Sequence, residues 1–137
     1  MNKVIRKLTT GCVAAVSVGA VLVAAAGPSA ATERNGYLEN SEFGLYYNSN
    51  SGGCVFDLYG SDWNFTNDYF TGPYDCAGIA GLVDDDTASY RNRDTYTWRV
   101  ATDINLGGLV GSIPSGYVGN ASINFKNKIS SATFRSD

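Results

Sequence analysis

Hydrophobic and polar residues alternate along this chain in short runs. Residues 43–47 place Phe43, Leu45 and Tyr47 on one face. Residues 54–59 alternate again, with Cys54, Phe56 and Leu58 against Val55, Asp57 and Tyr59. Between them lies Asn48-Ser49-Asn50-Ser51-Gly52-Gly53, a turn with several residues that tolerate positive φ. The pattern predicts a β-hairpin. Residues 88–92 read as a further strand. Residues 95–101 alternate most clearly, with Tyr96, Trp98 and Val100 opposite Thr97 and Arg99. Gly107-Gly108, Gly111 and Pro114-Ser115-Gly116-Tyr117 mark turns. Ile123 and Phe125 then alternate with Ser122 and Asn124, and Ala132-Thr133-Phe134 closes the last strand.

No segment longer than a turn or two has helical period. Short strands and many glycine turns predict an all-β sandwich or barrel. Hairpin, long loop, polar turn and strand occur in that order up to Tyr90, and again up to Phe134. Two Greek keys packed face to face give this order. The expected core is Leu45, Phe56, Tyr96, Trp98, Phe125 and Ile129. Residues 60–81 follow no period but carry Trp63, Phe65, Tyr69, Phe70 and Tyr74. A loop this aromatic either packs on the core or forms a binding surface.

The start of the chain changes the picture of where it works. Met1 to Lys7 is basic, an apolar run follows, and Ser29-Ala30-Ala31 offers the small residues of a cleavage site. Residues 1–31 therefore read as a secretory signal peptide, cut after Ala31. Residues 32–42 are polar and expected to be loose. Without residues 1–31, 7 Lys and Arg face 13 Asp and Glu, a net charge of about −6. That balance argues against nucleic acid and anionic membrane as partners and suits a soluble, secreted, monomeric protein. Cys54 and Cys76 are then the remaining cysteines, and in an oxidising compartment they predict a disulfide rather than two free thiols. Asn64-Phe65-Thr66 and Asn120-Ala121-Ser122 fit the glycosylation pattern. The chain has no histidine, which excludes Ser-His-Asp and Cys-His sites and the usual His-bearing zinc sites. A glycosidase-type carboxylate pair drawn from Asp57, Asp62, Asp68 and Asp75 is the enzyme alternative. No recognisable catalytic arrangement favours it, and the chain reads as a non-enzyme.

Asp84-Asp85-Asp86-Thr87-Ala88-Ser89 has an echo in Lys126-Asn127-Lys128-Ile129-Ser130-Ser131. Both are polar turns, or one unit used twice around a hard cation such as Ca2+, which takes oxygen ligands.

With these residues in view, the chain resembles the βγ-crystallin superfamily. Within it, the chain is most similar to the secreted bacterial peptidase-inhibitor family typified by metalloproteinase inhibitors. Tyr46, six residues and Gly53 match an aromatic-x6-Gly pattern. Asp85-Asp86-Thr87-Ala88-Ser89 and Asn127-Lys128-Ile129-Ser130-Ser131 match its acidic-or-amide and serine motif. Three positions depart from the pattern. Tyr90 stands where the first motif often has a second serine, and Lys126 where the second has Asp or Asn. Val100 and Ala101 stand where the second hairpin has an aromatic.

The resemblance implies a βγ-crystallin-like domain over residues 43–137. It implies inhibition of a secreted peptidase, probed first on metalloproteases, with no cofactor required. It also implies a calcium bowl lined by Asp85, Asp86, Ser89, Asn127 and Ser130. An inhibitor presents a stiff loop, because rigidity reduces the ordering cost of binding. Cys54-Val55-Phe56, beside the disulfide, is one candidate contact; the aromatic loop over residues 62–74, including Phe65, is the other. The alternative function is a calcium-binding or carbohydrate- and cell-surface-binding module without inhibitory activity.

Overall fold

A computed structural model describes residues 30–134. The signal-peptide reading therefore lies outside the described residues, apart from Ala30 and Ala31. Seven strands follow in order: β1 (Phe43–Asn48), β2 (Gly52–Leu58), β3 (Ser89–Asn92), β4 (Trp98–Ala101), β5 (Val110–Ile113), β6 (Val118–Asn120) and β7 (Ser131–Phe134). They form two antiparallel sheets, β2-β1-β3-β6 and β5-β4-β7. Single 3-10 turns lie at Phe65–Asn67 and Ile104–Leu106. The all-β expectation holds.

The two halves interlock. β6, from the second half, pairs with β3 of the first. In return, Asp62 of the first half bridges to Ala132 in β7, with both backbone bonds at 2.8 Å. Each Greek key thus lends the other sheet its third extended segment.

Leu45, Phe56 and Trp98 are fully buried, as their strand positions require, and Ile129 is fully buried from the turn before β7. Phe43 of one sheet stacks on Trp98 of the other with ring centroids 4.9 Å apart. β2 is buried on both faces, which simple alternation does not anticipate. Phe56 lies inside, edge-on to Phe65 at 5.3 Å. On the outer side Val55 pairs with Thr71 through backbone bonds of 3.0 and 3.2 Å. The aromatic loop therefore packs on the core through Phe65 and Phe70, both 0% exposed. The Cys54–Cys76 disulfide pins its far end. A bond closing a loop of this size contributes about 3 kcal/mol by restricting the unfolded chain.

Three expectations are corrected. Tyr96 is half exposed and outside the core. Asp94 Oδ1 accepts from the backbone N–H of Thr95 and Tyr96, so a side-chain turn holds this segment and β4 begins only at Trp98. Ile123 and Phe125 lie in a turn instead of a strand, with the N–H groups of Phe125 and Lys126 both bonded to Ser122 O. Ile123 faces solvent, while Phe125 packs partly against the core. Lastly, residues 32–42 are tied down rather than loose. Arg34 reaches Asp62 and Asp68, and Asp57 accepts from the N–H of Asn35 and Gly36 at 3.0 and 2.8 Å.

Candidate functional site

The two polar turns face each other and are built alike. The N–H of Asp85 bonds Ile129 O at 3.0 Å, and the N–H of Asn127 bonds Thr87 O at 2.9 Å. Asp85 and Asn127 both have positive φ, 59° and 56°, a conformation that short polar side chains tolerate. The serines that follow do the same job. Ser89 Oγ donates to Asn48 O at 2.6 Å and accepts from Ser51 N at 2.9 Å. Ser131 Oγ donates to Asp103 O at 2.7 Å and accepts from Leu106 N at 3.1 Å. Each hydroxyl stitches a polar turn to the hairpin of its own Greek key.

The hairpins repeat as well. Asn50, Ser51 and Gly53 have φ of 58°, 55° and 74°; Asn105, Leu106 and Gly108 have 57°, 56° and 71°. The second hairpin keeps this geometry with Ala101 where the first has Tyr46. Its shape is set by the backbone and the serine, and the aromatic is not required.

This equivalence corrects the register of the motifs. Ser89 corresponds to Ser131, so Asp84 corresponds to Lys126, Asp85 to Asn127 and Ala88 to Ser130. Tyr90 is no departure from the pattern; Ala88 is. Ser89 is buried and its oxygen is committed to the backbone, which takes it out of the expected calcium set.

Two cups follow. The first is a cavity of about 230 Å³ lined by Tyr47, Asn48, Ser49, Asp86, Ala88, Lys126 and Asn127. The repeat maps its lining onto Thr102, Asp103, Ile104, Lys128, Ser130, Asp84 and Asp85. Calcium takes about six to eight oxygen ligands. The first cup does not fit it, because Lys126 adds a positive charge and Ala88 a methyl group. The second cup fits better. There Asp84 and Ser130 replace Lys126 and Ala88, while Lys128 replaces Asp86 but donates its Nζ to Ile123 O at 3.4 Å, and Asp84 Oδ1 is buried without a hydrogen-bond partner. Ser130 Oγ lies 3.4 Å from Asp85 Oδ1. Partial burial, then repulsion from Asp84, raises the Asp85 carboxyl above the ordinary carboxylate range; Ser130 lowers it, and Asp103 adds a smaller upward push. Among the described residues no three acidic, histidine or cysteine side chains form a ready metal centre. Backbone carbonyls and water would have to complete the shell. Asp85 and Ser130 of the expected set thus belong to the second cup, and Asp86 and Asn127 to the first.

The expected inhibitory contacts are placed differently from the sequence reading. Cys54, Val55 and Phe56 sit within β2 at 0%, 5% and 1% exposure, and Phe65 is at 0%. None presents its side chain to a partner. The aromatic loop does present Trp63, Tyr69 and Tyr74. Tyr74 is 97% exposed. It lies between stems held at Thr71 by Val55 and at Ala77 by the N–H of Cys54, at 2.9 Å. The N–H of Cys76 turns back to Pro73 O at 3.1 Å, and the disulfide closes the loop.

Of the four carboxylates considered for catalysis, Asp75 is exposed and the other three are occupied structurally. Asp57 and Asp68 are buried, and with Asp62 they hold the N-terminal segment. Burial, then the charge of Asp62, pushes the Asp68 carboxyl up, and Arg34 pulls it down. Sequence reasoning missed this cluster, although Arg34 as an isolated cation in an acidic chain was a usable signal.

The chain adopts the βγ-crystallin domain fold. No protein-family profile and no curated protein matches the sequence; the likeness is to solved structures. One, concerned with the evolution of the eye-lens βγ-crystallin domain fold, is 15% identical with a TM-score of 0.56, over 80% of this chain and 95% of that one. A βγ-crystallin domain from Flavobacterium johnsoniae is 22% identical with a TM-score of 0.53, over 69% and 94%. An archaeal βγ-crystallin is 22% identical with a TM-score of 0.51, over 71% and 100%.

Proposed function

We propose that this protein is a secreted inhibitor of an extracellular peptidase, acting through the disulfide-braced loop over residues 72–78. The exposure of Tyr74 between two fixed stems carries the reading. Tyr74 is the most exposed large hydrophobic among the described residues, and a rigid aromatic held on a braced loop suits a partner pocket. The stems and the disulfide restrict the loop before binding, so little ordering cost remains on association. The resemblance to the metalloproteinase-inhibitor family supplies the target class, with Tyr74 in place of Val55 and Phe56 as the anchor.

The test is a panel of secreted metallo-, serine and cysteine proteases assayed with the mature protein. Tyr74→Ala should raise the inhibition constant of the sensitive protease about tenfold or more. Its melting temperature should not change, because the side chain makes no core contact. Absence of inhibition across the panel removes this function; inhibition unaffected by Tyr74→Ala removes only the loop.

The unpartnered Asp84 Oδ1 favours a second reading, weak calcium binding in the cup of Asp84 and Ser130. Affinity should fall in the extracellular range, about 10⁻⁴ to 10⁻³ M. Calorimetry should show binding heat that Asp84→Asn abolishes and Asp86→Asn preserves. A silent titration of the unmutated protein at millimolar Ca2+ ends the second reading.

A further inference from the structure

The backbone nitrogen of Thr32 lies 2.8 Å from Glu39 Oε2 on the surface. Three carboxylates crowd this end of the chain: Glu33, Glu39 and Glu42. Glu42 is fully buried, with Oε1 unpartnered. Glu39 donates its own N–H to Glu42 Oε2 at 2.7 Å. Among the described residues no Lys or Arg forms an ion pair with them; the ion pairs there are Arg34 with Asp62 and with Asp68. Arg93 lines the same cavity as Glu39, but its guanidinium donates to Leu38 O and Asn40 Oδ1. The small residues that mark a cleavage site end at Ala31, immediately before Thr32.

We propose that Thr32 is the amino terminus of the working protein and that its α-ammonium is bound by Glu39, a counter-ion site prepared in the fold. This rests on the secreted reading but not on inhibition. The chemistry is hydrolysis of the Ala31–Thr32 amide by a signal peptidase. Water adds across the bond, Ala31 leaves as a carboxylate and the Thr32 nitrogen becomes an ammonium. A neutral donor with one hydrogen is thereby replaced, beside Glu39, by a cation with three. Charge pairing then adds to a hydrogen bond already aligned, and the positive charge offsets Glu33 and Glu42. Ala30 and Ala31 line a cavity of about 520 Å³ with Tyr59 and Arg93. Their departure opens that cavity on one side.

The experiment compares three purified proteins: one beginning at Thr32, one beginning at Ala30, and the Thr32 form carrying Glu39→Gln. The α-amino group is titrated by NMR. In the Thr32 form its pKa should exceed the ordinary range of roughly 7.7–8.0 by about half a unit. In the other two forms it should lie within that range. Glu39→Gln keeps the backbone N–H that Glu42 uses, so it isolates the carboxylate. Thermal melting at neutral pH should be higher for the Thr32 form than for the Ala30 form, with the gap closing at about pH 10. An ordinary α-amino pKa in the Thr32 form, unmoved by Glu39→Gln, overturns the counter-ion site whatever the protease panel shows. Secretion of the full-length chain followed by mass measurement should give Thr32 as the first residue; a different first residue overturns the processing half.

Discussion

Glu42 is the side chain least at ease in this fold. Burial first, then the charges of Asp57, Glu39 and Glu33, raises its carboxyl from 4.5 to about 7, against one lowering bond from the Glu39 N–H. The folded chain therefore holds this proton more tightly than the unfolded chain between pH 4.5 and about 7. Its contribution to stability is complete below the ordinary value and is lost as pH rises through about 7. Glu42→Gln keeps an acceptor for the Glu39 N–H and removes the ionisation. It should stabilise the protein at about pH 8 by roughly 1–3 kcal/mol and change little near pH 4. Chemical denaturation at the two pH values checks this. A variant less stable than the parent at pH 8 would mean that the carboxylate has a partner beyond the Glu39 amide.

Among the elements, the hairpins carry the most specific demands. Gly53 has a φ of +74°, and a Cβ there would stand 2.8 Å from Ala77 O. Gly116 has a similar φ of +79° with nothing within 4 Å. Both substitutions to alanine incur backbone strain of about 1–2 kcal/mol. Gly53→Ala adds a collision with the stem of the disulfide loop and should cost about 3 kcal/mol or more. Gly116→Ala should stay near 1 kcal/mol; parallel denaturant titrations separate the two. The first hairpin and β4 were legible in the sequence because Leu45, Phe56 and Trp98 alternate with neighbours that face elsewhere. Tyr96 was misread because its spacing from Trp98 matches a strand while Asp94 captures the backbone around it. Ile123 and Phe125 were misread in the same way, since a turn with i, i+2 apolar residues looks like a short strand. The polar turns were visible as a pair, but their register was not. Ser89 and Ser131 are identified as equivalents by what their hydroxyls hold, and spacing alone fits Ser89 to Ser130 equally well. The anchoring of residues 32–42 depends on Asp57, Asp62 and Asp68, which lie far along the chain, so no local pattern reports it.

At the scale of the whole molecule, the exchange of third segments makes each Greek key depend on the other. β3 lacks its outer neighbour without β6, and β7 lacks Asp62 without the first half. A fragment of residues 32–96 should therefore remain unfolded at 25 °C, and the intact chain should melt in one transition seen alike by near- and far-ultraviolet circular dichroism. A folded, protected fragment would refute this dependence. The tie between the two polar turns has a different kind of consequence. It runs from amide to carbonyl, Asp85 to Ile129 and Asn127 to Thr87, and so carries almost no requirement on which side chains stand around it. One cup therefore holds Lys126 and Ala88 where its counterpart has Asp84 and Ser130, at no expense to the architecture. Such differences are permitted by the frame itself, and the first cup is the natural place to write a new specificity, beginning with Lys126→Asp and Ala88→Ser.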